Sequence, residues 1–95
     1  QEGIGVAKDN EKAVHWYLKA AEHGNTDAQY NLGMMYKQGK GVPTDLVQAC
    51  KWLNLAVLGG SENAHKTIKS IEDKMNREQI ELALAMAREW MEKHK

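Results

Sequence analysis

The chain has 95 residues, and its thirteen basic and thirteen acidic side chains cancel. That length suits one small domain, which buries only about 60–65% of its unfolded surface. No block of like charge forms a basic stripe for nucleic acid or an anionic membrane, and no apolar run reaches a membrane-spanning length.

No signal peptide precedes the first motif, so the expectation is a soluble chain, or one whose targeting segment lies upstream of Gln1. The compartment stays open between cytoplasmic, periplasmic and secreted. Cys50 is the single cysteine, so an internal disulfide is excluded and the redox environment is left undecided.

Residues 5–24, "GVAKDNEKAVHWYLKAAEHG", are echoed 36 positions later by "GVPTDLVQACKWLNLAVLGG". Identities recur at Gly3/Gly39, Gly5/Gly41, Val6/Val42, Asp9/Asp45, Ala13/Ala49, Trp16/Trp52, Ala20/Ala56, Gly24/Gly60 and Ala28/Ala64. Average composition predicts about one or two such coincidences, so the chain is read as a tandem repeat. In the first copy Ala13, Trp16, Tyr17 and Ala20 fall at i, i+3, i+4 and i+7, one face of a helix over 10–23. Asp9 is expected to cap it, "GIGV" before it to be a turn, and Gly24 to end it with positive φ.

A second helix over 26–38 places Ala28, Leu32, Gly33 and Tyr36 on one face. Gly33 costs about 1 kcal/mol of helix propensity relative to alanine, and close backbone contact with a neighbouring helix would offset it. Gly39, Gly41 and Pro43 then turn the chain. The third helix, 45–58, repeats the stripe as Ala49, Trp52, Leu53 and Ala56, with Thr44 or Asp45 as cap and Gly59-Gly60 as its stop. The fourth, 62–74, starts after Ser61 and carries Ala64, Ile68 and Ile71 inward, with Lys69 and Glu72 where the earlier unit has Gly33 and Tyr36. In the last, Asn76 and Gln79 resemble a capping box. Its expected apolar stripe is Ile80, Ala83, Leu84, Ala87, Trp90 and Met91, with Glu89–Lys93 paired on the other side.

The organisation expected is therefore one all-α domain over 1–95, a right-handed α-α superhelix of tandem helix-turn-helix repeats. Residues 1–24 form the second half of a truncated repeat and 25–60 a full repeat. Residues 61–75 form the first helix of the last repeat, and 76–95 a capping helix of the kind repeat arrays need for solubility. Helix 10–23 would lack the partner that 45–58 finds in 26–38. Part of the Trp16/Tyr17 side is then expected to be uncovered, to be met by further repeats or by self-association with a second copy.

A period of 36 is close to the ~34 residues of tetratricopeptide repeats, and "AQYNLGMMYKQGKGVPTDLVQACKWLNLAVLGG" resembles the Sel-1-like repeat, a relative of that family. The pattern "LG.MY..G.GV..D...A..W...A...G" is matched nearly throughout from Leu32 to Gly60, and "MNREQIELALAMAREW" is similar to the closing helix of bacterial members. The resemblance implies adaptors and scaffolds that hold other proteins, in bacterial envelopes, secreted effectors and eukaryotic degradation complexes. Cysteine-rich relatives that pin each repeat with a disulfide form a branch from which this chain departs.

No enzyme constellation emerges. His15, His23, His65 and His94 are scattered with no second ligand at i+3 or i+4, so neither a metal site nor a cofactor is expected. Cys50 has no evident base and reads as a small, partly buried spacer. "GIGV" and "GKGV" follow no strand and complete no phosphate-binding pattern. Trp16, Trp52 and Trp90 read as core, and Met35, Met75, Met86 and Met91 as filler, while Met34 is harder to turn inward.

In a solenoid the first helices of the units line the inner curve. That selects Tyr30, Met34 and Lys37 from 26–38, and Asn63, Lys66 and Ser70 from 62–74, as partner-binding candidates. The function expected is non-catalytic binding of a peptide or protein in that concave groove. The alternatives are a regulatory or inhibitor (immunity-type) module acting on an enzyme through a loop such as Gly39–Pro43, or an enzyme's accessory domain.

Overall fold

The computed structural model describes the backbone of residues 2–94 and the side chains of residues 9–94. Five helices follow in order: α1 (Glu2–Glu22), α2 (Thr26–Gln38), α3 (Leu46–Leu58), α4 (Glu62–Glu72) and α5 (Arg77–Lys93). Most of their starts were written into the sequence as acceptors for unpaired amides. Asn25 accepts from the Ala28 N–H, Asp45 from Gln48, and Ser61 from Ala64, at 2.8–3.1 Å. Asn76 and Gln79 close the capping box in both directions. Each cap is worth about 1 kcal/mol. Gly24 (φ 90°) and Gly60 (φ 101°) leave their helices left-handed as expected, whereas Gly59 does not.

The N-terminus departs from the expectation. α1 runs unbroken from Glu2, so Gly3–Val6 are helical rather than a turn and Asp9 is not a cap. Pro43 explains why the two copies differ. It lacks an N–H and biases Val42 away from the helical region, and the position 36 residues earlier is Ala7, which continues a helix readily.

α3 is the hub, packing against α2, α4 and α5, while α1 packs against α2. Its two sides feed two cores. Ala49, Cys50, Leu53 and Ala56 join Ala64, Ile68, Ile71, Met75 and Ala83. Trp52 and Leu55 join Val14, Ala21, Ala28, Leu32, Met35 and Ala87. Cys50 is fully buried, not partly. The α2–α3 approach is close because Gly33 has no side chain. A Cβ there would stand 2.7 Å from Leu53 Cγ and 3.1 Å from the Ala49 carbonyl oxygen. The turn after α2 is seated on α1 in the same way. Gly41 is left-handed (φ 76°), and a Cβ on it would lie 2.5 Å from the Asn10 carbonyl.

Equal letters of the repeat meet unequal surroundings. Trp52 is 2% exposed, but Trp16, its counterpart 36 residues earlier, is 70% exposed. Ala13, Tyr17 and Ala20 beside Trp16 are half-buried. The expected uncovering of the α1 stripe is thus found, concentrated at Trp16, and Trp16 is not core. The α5 stripe is also narrower than expected. Ala83 and Ala87 are buried and Ile80, Met86 and Trp90 half-buried, while Leu84 and Met91 are exposed. Small residues carry the α5 contact, and the larger ones stand at its edges.

Two substitutions test this packing. Trp52→Ala should lower stability by about 3–5 kcal/mol in urea unfolding, while Trp16→Ala, on an exposed face, should stay within about 0.5 kcal/mol. Gly33→Ala gains about 1 kcal/mol of helix propensity but overpacks Leu53 at a cost of about 1–3 kcal/mol. A net loss of about 1 kcal/mol is expected by the same assay.

Candidate interaction surface

α2 and α4 lie in contact, which brings the two candidate rows onto neighbouring helices. Tyr30, Met34 and Lys37 are half-exposed along α2, and Asn63, Lys66 and Ser70 are exposed along α4. Tyr30 packs its flank against the α3–α4 core, so one side of the ring is fixed while the rest remains accessible. Tyr36, one turn from Leu32, also leans on both cores. Burial, and secondarily the Asp45 carboxylate, push its hydroxyl pKa up, so it stays a neutral phenol. Asn63 lines a hollow shared with Thr26, Asp27 and Glu62, where the first turns of α2 and α4 meet. Lys66 lines a second hollow with Val57, Glu62 and His65. Met34, ambiguous in the sequence, is half-exposed while Met35 beside it is buried.

The chemistry available here is contact and hydrogen bonding. Cys50 is sealed in the core, where burial raises its pKa first, Glu72 raises it further, and the Asn54 amide donating at 3.4 Å opposes them. A thiol held protonated is a poor nucleophile. Among the described residues no group of three or more His, Cys, Asp or Glu could hold a metal ion, and no helix is long and apolar enough to cross a membrane. The loop Gly39–Pro43 is buttressed rather than free, with Gly41 against α1 and Val42 packed into the second core.

A cluster on α3 and α5 escaped the sequence reading. Trp90 meets Trp52 edge-on, with ring centroids 6.1 Å apart at 71°, and is covered by His94, stacked at 4.0 Å and 11°. The Trp90 Nε1–H is buried without an acceptor among the described residues. Lys51 lays its ammonium 4.4 Å over the Trp52 ring. Burial lowers the Lys51 pKa; Glu22 and Glu89 pull it back, and Lys93 adds to the lowering. The signal available in advance was the Trp52–Trp90 pair, but Trp90 falls outside the repeat register, where its counterpart is Asn54.

Comparison with known proteins places this geometry in a family. The Sel1 repeat profile matches residues 1–25 and 26–61. The chain is 37% identical over 62 residues to the alginate biosynthesis protein AlgK of Azotobacter vinelandii, covering 65% of this chain and 14% of that protein. It is 35% identical over 63 residues to the chitin synthase regulator SKT5 of Saccharomyces cerevisiae, covering 66% of this chain and 9% of that one. The crystal structure of c5321, a protective antigen of uropathogenic Escherichia coli with an SLR fold, superimposes with a TM-score of 0.85 at 34% identity, over 98% of this chain and 20% of that one. The chain thus spans about a seventh or less of these two curated relatives and about a fifth of the structural neighbour. Its five helices are a stretch of α-α superhelix, and the chain belongs to the Sel1 repeat family.

Proposed function

We propose that this chain is a non-catalytic module that binds a peptide or protein partner across the α2–α4 face, through Tyr30, Met34, Lys37, Asn63, Lys66 and Ser70. The observation that carries the reading is the state of α2. Ala28, Leu32, Gly33 and Met35 are locked into the core while Tyr30, Met34 and Lys37 keep accessible surface. A backbone already held in a packed helix needs no ordering on binding, so only side-chain freedom is lost and more of the contact energy is retained as affinity. An aromatic ring, a thioether, an amide and two ammonium groups suit an extended peptide, held by apolar contact and by hydrogen bonds to its carbonyls. The family supports the general role, since SKT5 is by name a regulator of another protein.

Action through the 39–43 loop, as an inhibitor or immunity module would act, fits less well. Gly41 and Val42 are engaged with α1 and the core, leaving Lys40 and Pro43 as the exposed tip. The test is recovery of partner protein on this protein from a lysate of its source organism. Lys37→Ala and Tyr30→Ala should each reduce recovery about fivefold to tenfold, while Lys40→Ala leaves it unchanged. Loss with Lys40→Ala alone would transfer the function to the loop.

A further inference from the structure

The α3–α5 surface carries two features that the α2–α4 reading leaves unused. Trp90 forms a wall of two hollows at once. One, of about 180 Å³, is lined also by Lys51, Met86, Glu89 and Lys93. The other, of about 220 Å³, lies between the α1–α2 turn and the end of α3 and is lined by Leu58 and Met91. Leu58 is 66% and Met91 42% exposed, although both are large and apolar.

The charges on this surface balance in number, Lys51 and Lys93 against Glu22 and Glu89, but not in contact. Glu89 is engaged by Lys93 at 3.4 Å. Lys51 has no carboxylate within ion-pair distance among the described residues, and Glu22 and Glu89 act on it only from further away. Its ammonium is half-buried against an indole face. A partly desolvated cation gains more from an incoming counter-charge than a fully hydrated one, because less water screens the pair. A cation with no carboxylate in contact and an open aliphatic hollow, both beside one tryptophan, select a single kind of complement.

We propose that the α3–α5 surface docks an acidic amphipathic segment of a partner protein, with an apolar side chain in the Leu58–Met91 hollow and a carboxylate against Lys51. Trp90 is the divider against which both parts of the segment pack. This site uses neither candidate row of α2 and α4, and it stands or falls independently of them.

Selection of a displayed random twelve-residue peptide library on the full chain tests the proposal. Enriched peptides should pair Asp or Glu with Leu, Ile, Met or Phe three or four positions away. In NMR titrations they should shift the Trp90 indole N–H and leave that of Trp16 in place. Lys51→Gln and Leu58→Ser should each weaken binding about tenfold. Leu58 is on the surface, so its change leaves the core intact and serves as the second variant. Absence of enrichment, enriched peptides without carboxylates, or affinity untouched by both substitutions would overturn the proposal. Peptides whose binding falls instead with Tyr30→Ala and Lys37→Ala would also overturn it, while leaving the α2–α4 reading in place.

Discussion

The close approach of α2 and α3 at Gly33 sets the rest of the architecture. With Leu53 Cγ 2.7 Å and the Ala49 carbonyl oxygen 3.1 Å from where a Cβ would stand, the two helices pack at a distance that glycine meets without displacing Leu53. That contact fixes α3, and α3 is the helix on which α4 and α5 are assembled. Both cores have α3 as a wall. A side chain at Gly33 would therefore push against a helix shared by every later element, and the strain would spread beyond one pair. The position equivalent to Gly33 in α4 is Lys69, which is exposed. α5 packs on α3 instead, so α4 has no need of a glycine there.

Much of this was legible because a tandem repeat states each constraint twice. Helix stops at Gly24 and Gly60, caps at Asp45 and Ser61, and the alanine spacing of α3 follow from local chemistry, and the stops and alanines recur in register. What local chemistry cannot supply is the neighbour. Trp16 and Trp52 are the same residue in the same motif, yet one is in water and the other in the core, because burial is decided by which helix lies opposite. The overextension of α1 has a related origin. The glycines were read as a turn by analogy with Gly39 and Gly41, but in the second copy it is Pro43 and the seat on Asn10 that make the turn, and the first copy has Ala7 in place of that proline.

The candidate sites divide along the same line. Tyr30, Met34 and Lys37 were selected by combining helical period with the expectation that first helices line a solenoid's inner curve, and a helix that buries Leu32 and Met35 does present 30, 34 and 37 elsewhere. The Trp90 surface could not be found that way. It arises where a helix outside the repeat register crosses one inside it, and nothing in the sequence sets Lys51 apart from the other lysines. Its half-buried position over Trp52 depends on α3 and α5 coming together, a tertiary fact with no periodic signature.

Two surfaces of different chemistry on one small scaffold follow from how the helices alternate. α2 and α4 touch each other, α3 and α5 touch each other, and each pair turns a separate row of side chains outward. The caps and the glycine contact hold both helix pairs in place before any partner arrives, so neither proposed site needs its backbone ordered by a ligand. Both rows are fixed by packing, Tyr30 on the first core and Trp90 on the second, where Trp90 also meets Trp52 edge-on and stacks on His94.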